Sequence, residues 1–127
     1  MWGLKRKNRQ RNKHAAAEFE YEAAHMIGKN LAFSAAESYK LLRINLLYSL
    51  PNAEGAGVIG IISALSGAGK TISAINTAYS MAELGKRVLL IECDLRLPTI
   101  ARRLKLEATP GLSDWLLKRG DVHQSLQ

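Results

Sequence analysis

Ser63-Ala64-Leu65-Ser66-Gly67-Ala68-Gly69-Lys70-Thr71 is the stretch that decides how the chain is read. An apolar run, Val58 to Ile62, precedes it, and a helix-like run begins at Lys70. A strand that feeds a glycine-rich turn and opens a helix aims several backbone N–H groups at one point, together with the positive end of the helix dipole. Polyphosphate is the natural occupant of such a point. In that geometry the Lys70 ammonium reaches the β- and γ-phosphates, and the Thr71 hydroxyl offers a hard oxygen ligand to Mg2+. The expected phosphate contacts are Ser66, Gly67, Ala68, Gly69, Lys70, Thr71 and Ile72.

The general pattern is Gly-x-x-x-x-Gly-Lys-Ser/Thr, and the chain departs from it once, with Ala64 at the first glycine. Alanine is small enough for a tight turn but visits left-handed backbone angles less readily than glycine. A second glycine pattern, Gly55-Ala56-Gly57-Val58-Ile59-Gly60, matches dinucleotide spacing. That fingerprint must follow a strand and open a helix, whereas here it leads into the apolar run. It reads as the approach to the first strand, and no nicotinamide or flavin site is expected.

The chain has 127 residues, the size of one domain or a piece of one, and a net charge of +7. The charge is local. Lys5, Arg6, Lys7, Arg9, Arg11 and Lys13 precede the first acid, Glu18, and the remainder holds twelve basic and eleven acidic residues. Such a tail can meet anionic lipid headgroups at about 1 kcal/mol per basic residue, or remain a solvated terminus. Trp2 alone stands among the basic residues as an aromatic, so single-strand nucleic-acid binding is not expected. No apolar run reaches membrane-spanning length, and the basic start lacks the apolar core of a secretory signal. The single cysteine, Cys93, fits a reducing cytoplasm and reads as a small buried residue at a strand end. His14, His25 and His123 lack metal-ligand spacing, so no transition-metal site is expected.

Organisation follows from periodicity. Residues 1–14 form the basic tail, 15–53 the N-terminal helices, and 54–127 the phosphate-loop portion. Ala15 to Met26 is helix-prone, with Gly28-Lys29-Asn30 as its end. Ser34 followed by Glu37 predicts a capping box opening a second helix. Its stripe is Tyr39, Leu42 and Leu46, and Pro51-Asn52 stops it. Next come a strand over about 57–63, the loop, and a helix whose expected buried face is Ile72, Ile75, Tyr79 and Ala82, with Gly85 as its C-terminal cap. Val88-Leu89-Leu90-Ile91 is apolar throughout, as expected of a strand buried on both faces of a parallel sheet. A short helix is predicted around Ser113 to Lys118. The fold class is α/β: a P-loop NTPase-like parallel sheet with flanking helices, present as a partial domain and preceded by N-terminal helices.

That second strand ends in Glu92-Cys93-Asp94-Leu95-Arg96. The carboxyl ends of strands face the ligand crevice in open α/β sheets. Glu92 and Asp94 fall on one side of an extended strand, because side chains alternate. Two acids there can order Mg2+ and its waters or accept a proton from an attacking hydroxyl, and Arg96 can neutralise phosphate charge. The plainer alternative is a polar strand end in which Asp94 caps a turn.

The phosphate loop with Glu92-x-Asp94-x-Arg96 resembles the bacterial tyrosine kinases (BY-kinases) of capsule and exopolysaccharide systems. Their second motif is an apolar triplet followed by Asp-x-Asp-x-Arg. Glu37-Ser38-Tyr39-Lys40-Leu41-Leu42-Arg43 is similar to their Glu-x-x-Arg-x-x-Arg helix, which packs subunits into a ring. Leu97-Pro98-Thr99 and Gly111-Leu112-Ser113-Asp114 resemble two further stretches. The resemblance covers about residues 34 to 127. Glu92 replaces the family's first aspartate, and a group misplaced by about 1 Å costs about 100-fold. Lys40 replaces the middle arginine and loses its bidentate fork. Leu65 stands where the partitioning and cell-division-site ATPases carry a lysine, which argues against that branch.

The resemblance implies transfer of the γ-phosphoryl of ATP, with Mg2+, to tyrosine hydroxyls on neighbouring copies, in capsular or exopolysaccharide synthesis. Lys70, Glu92, Asp94 and Arg96 are its catalytic candidates, with Glu92 the candidate base. Thr71 and Asp94 are the metal candidates, and Glu37, Lys40 and Arg43 the oligomerisation candidates. It also implies a ring-type homo-oligomer, a membrane adaptor of the polysaccharide co-polymerase type, and a cytoplasmic protein peripheral to the inner face of the cell membrane. Residues 5–13 would add contact with anionic lipid. A later strand ending in Asp and a tyrosine cluster belong to the same pattern. The sequence reaches Gln127 without either, and reads as the N-terminal half of a kinase domain. The alternative is an inactive nucleotide-binding or adaptor-docking module, and the third reading is a partitioning-type surface ATPase.

Overall fold

A computed structural model describes residues 31–50, 57–65 and 67–127, with isolated positions 17, 20, 25 and 26. The basic tail, nearly all of the helix expected over 15–26, its Gly28-Lys29-Asn30 end and Pro51-Asn52 lie outside the described residues. The chain divides into two compact units, Met1–Val58 and Ile59–Gln127.

In the first unit, α1 spans Phe33–Ser49. The expected capping box does not form. Ala32 is the N-cap and makes no side-chain cap bond; its carbonyl instead accepts the N–H groups of Ala35 and Ala36, each at 3.0 Å. Ser34 already lies inside the helix, where its carbonyl accepts the Ser38 hydroxyl at 2.9 Å. Glu37 turns along the surface to Lys40, 2.7 Å away. The more protected face of α1 holds Ala35, Ala36, Tyr39, Arg43, Leu46 and Leu47, at three- and four-residue steps. Leu42, expected on that stripe, is 40% exposed. Leu50 ends the helix in extended geometry, as a residue followed by proline is driven to do.

Residues 57–63, of which 57 and 58 end the first unit, and residues 86–94 of the second are neither helical nor paired in a ladder, so the expected sheet is not seen among the described residues. Most of their aliphatic side chains are exposed, Val58 and Ile62 at 90% and 92% and Leu89 and Ile91 at 65% and 53%, while Ile61 and Leu90 are half-buried. The expected burial of Val88 to Ile91 on both faces is therefore absent. The physical reason is that such a run buries itself only against neighbouring strands and covering helices. Cys93, expected to be buried, is exposed with it.

The helix after the loop, α2, spans Lys70–Ala82 and buries Ile75, Asn76, Thr77, Ser80 and Met81. Of the expected face, Ile75 is buried and Ile72 half-buried, whereas Tyr79 and Ala82 are exposed. The buried stripe is rotated and largely polar, a pattern that apolar periodicity cannot reveal. Gly85 follows the helix end with φ +71, and its N–H donates to the Ala82 carbonyl at 2.8 Å. Two short helices follow: α3 (Ile100–Leu104), which the sequence reading missed, and α4 (Leu112–Leu116), near its expected place. A 3-10 turn, Val122–Ser125, packs against α4. Gln127 is tied to Glu107 by a reciprocal amide pair: the Glu107 N–H donates to its Oε1 at 3.0 Å, and its Nε2 donates to the Glu107 carbonyl at 2.7 Å.

Candidate phosphate-binding site

The site is built on the loop that opens α2. Gly67 and Gly69 have φ +76 and +83, the left-handed region that side chains with a Cβ avoid. A Cβ at either would meet nothing within 4 Å, so backbone angle and not crowding calls for glycine. Ala64 is not strained by replacing the pattern's first glycine. Apart from glycines, Lys105 and Lys118 are the positive-φ residues among those described. The Ser63 hydroxyl donates to the Leu65 carbonyl at 2.9 Å, closing the entry to the loop. Ser66 lies outside the described residues.

Gly69 is the N-cap of α2 and has no side chain to cap it, and the first turn contains no acidic residue. The first amides of any helix lack acceptors within the helix, and the macrodipole is positive there. The amides of Lys70, Thr71 and Ile72 thus form an electropositive end open to an anion. Lys70 and Thr71 are themselves half-buried.

The strand-end acids divide their work. Asp94 is brought to Lys70, with Oδ2 3.4 Å from Nζ, and its Oδ1 accepts the Leu97 N–H at 3.2 Å. Its carboxyl is held below the usual aspartate value, first by the Leu97 N–H; burial opposes the shift, and Lys70 and the Arg96 N–H reinforce it. Glu92 turns elsewhere. Its Oε2 accepts the N–H groups of Thr99 and Ile100, both at 3.0 Å, and its Oε1 takes a longer 3.4 Å bond from the Asp94 N–H. The Arg96 side chain is exposed. The structure therefore joins Lys70, Asp94 and, through the backbone, Glu92. Glu37, Lys40 and Arg43 lie on α1, in the other compact unit. Among the described residues no group of three His, Cys, Asp or Glu side chains could hold a metal ion unaided. No described helix is long and apolar enough to cross a membrane.

The Leu97 N–H on Asp94 is the turn cap of the plainer sequence alternative, whereas the Thr99 and Ile100 amides on Glu92 were missed by sequence reasoning. A local signal for α3 existed in Pro98-Thr99 before Ile100, with Arg102 and Arg103 in the last turn.

Residues 59–110 match the family model of the CobQ/CobB/MinD/ParA nucleotide-binding domain. The tyrosine-protein kinase YwqD of Bacillus subtilis is 39% identical over 92 residues, covering 72% of this chain and 38% of that protein. The tyrosine-protein kinase wzc of Salmonella typhi is 33% identical over 88 residues, 69% of this chain and 12% of that protein. The succinoglycan biosynthesis transport protein ExoP of Rhizobium meliloti is 35% identical over 82 residues, 65% of this chain and 10% of that protein. The chain thus spans well under half the length of these relatives. No solved structure matches it. Over the stretch that carries Lys70 against Asp94, the chain is therefore a P-loop nucleotide-binding protein similar to relatives named as bacterial tyrosine-protein kinases.

Proposed function

We propose that the chain binds Mg·ATP at residues 66–72 and forms part of a protein-tyrosine autokinase acting in capsular or exopolysaccharide synthesis. The carrying observation is the positive-φ glycine loop opening α2 with Lys70 held against Asp94. The relatives named as tyrosine-protein kinases support the reaction, and the one named for succinoglycan biosynthesis transport supports the setting. The loop amides and Lys70 bind and orient the phosphates, and Arg96 adds positive charge from the exposed turn. The residues fit a hydrated Mg2+: the Asp94 carboxyl is kept ionised, and Thr71 brings a hydroxyl in the first turn of α2. When bound, the ion supplies positive charge to the β- and γ-phosphate oxygens.

The fold that goes with this reading is a parallel sheet with 57–63 and 88–91 as strands, preceded by the N-terminal helices. The exposed aliphatic side chains of both runs support it, since helices packed on the two faces of such a sheet would cover them. Further parts of the proposal are a ring-type homo-oligomer through Glu37, Lys40 and Arg43, a membrane adaptor partner, and a peripheral place at the inner face of the cell membrane aided by residues 5–13. The boundaries 1–14, 15–53 and 54–127 belong to it as well.

The test is phosphotyrosine formation by the full-length protein in Mg·ATP, read by immunoblot. Lys70→Met and Asp94→Ala are each expected to abolish it. Undiminished phosphotyrosine in both variants would remove the proposal. A second reading, nucleotide binding without phosphoryl transfer, draws on the Glu92 carboxylate being turned to the backbone and away from Lys70. Autophosphorylation by the 127-residue chain itself would exclude it.

A further inference from the structure

The Glu92 carboxylate accepts from both ends of the turn it precedes. Thr99 is the N-cap of α3 and makes no side-chain cap bond, so the cap comes from Glu92, seven residues upstream. Inside this closure lies a smaller one, in which the Leu97 N–H donates to Asp94 Oδ1. The outer closure fixes the ends of the 92–100 loop, and the inner one leaves Asp94 Oδ2 facing Lys70 at 3.4 Å. A general base needs a lone pair free to meet the substrate proton. The Oε2 atom of Glu92 is occupied by two amide donors, which hold the carboxylate against the backbone of the loop's far end.

We propose that Glu92 is a positioning residue, closing the 92–100 loop through the Thr99 and Ile100 amides and so holding Asp94 against Lys70. This rests on the loop being a nucleotide site and revises the role of the first strand-end acid within it. Glutamine and alanine separate the two roles. Gln keeps the length and one carbonyl-type oxygen that can accept both N–H groups, so a clasp survives in Glu92→Gln and is lost in Glu92→Ala. A base is lost in both.

The experiment uses the 127-residue chain as wild type, E92Q and E92A, with amide hydrogen exchange read by NMR and Mg·ATP affinity by calorimetry. The Thr99, Ile100 and Leu97 amides are expected to exchange about tenfold faster in E92A and to stay close to wild type in E92Q, from the usual cost of losing a cap. The Mg·ATP Kd is expected to rise about tenfold in E92A and no more than about threefold in E92Q. Exchange of the same amides unchanged in E92A overturns the inference. So does an E92Q affinity as weak as that of E92A. If E92A fails to fold, judged by the amide spectrum of α2, the E92Q results decide alone. A wild-type chain that shows the exchange pattern but binds no Mg·ATP supports the closure and refutes the nucleotide reading.

Discussion

Replacing Gly69 should reverse the usual order of steric damage. The residue is the N-cap of α2 at φ +83, ψ 10, and a Cβ there meets nothing within 4 Å. Any cost of Gly69→Ala is therefore backbone strain, about 1–2 kcal/mol for an L-residue in the left-handed region. Gly69→Asn adds three more heavy atoms but should cost less, because Asn tolerates these angles and is a favoured N-cap. At roughly 4 °C per kcal/mol for a chain of this length, the alanine variant should melt at least about 4 °C below wild type. The asparagine variant should fall between them. Thermal unfolding followed by far-UV circular dichroism measures the order. An alanine variant as stable as wild type, or more stable than the asparagine variant, would refute the reasoning by showing that the angle is not what demands glycine.

Other consequences are checked as readily. The Asp94 carboxyl has a folded pKa below its ordinary 3.8, so its contribution to stability is complete above that value and is lost as pH falls through the depressed one. Urea midpoints taken through that acid range should show the loss, and Asp94→Asn should flatten it; an unchanged profile in the variant would assign the loss to other groups. Asp114→Ala removes the carboxylate that accepts the Gly111 N–H at 2.8 Å, and should cost about 1 kcal/mol in urea unfolding. Glu37→Ala breaks an exposed pair 2.7 Å long and should cost less than about 0.5 kcal/mol. Joined to Lys40→Ala and Arg43→Ala, it should leave helicity in place while ending self-association in sedimentation; an undiminished oligomer would remove the subunit contact from the proposal.

What the sequence disclosed was what a short segment dictates by itself. Gly67, Gly69 and Gly85 could be assigned to turns because their backbone angles are encoded in the missing Cβ. The stop of α1 at Ser49 was legible because Pro51 constrains Leu50 whatever surrounds it. The misreadings involve residues whose partners lie elsewhere. Ser34 looked like a cap, but the helix begins at Phe33, so a shift of one or two residues removed the geometry the box requires. Tyr79 fitted the apolar period of α2, yet among the described residues it is Asn76 and Ser80 of that helix that are wholly buried, since burial follows the neighbour and not the letter. Glu92 and Asp94 carry like charge two positions apart. Only the fold of the 95–100 turn decides that Glu92 meets the Thr99 and Ile100 amides, whereas Asp94 meets the Leu97 amide and the Lys70 ammonium.

The contact between Lys70 and Asp94 means that the loop already contains an anion of its own. On the proposed reading, a phosphate arriving at Lys70 takes the ammonium from that carboxylate, which the 92–100 loop keeps beside it for the accompanying Mg2+. The number of ion pairs then changes little on binding, and added salt weakens the contact being broken along with the one being made. Nucleotide affinity should therefore fall less steeply with ionic strength than the charge of an unpartnered lysine would dictate. In Asp94→Asn, where Lys70 has no internal competitor, the steeper dependence should return.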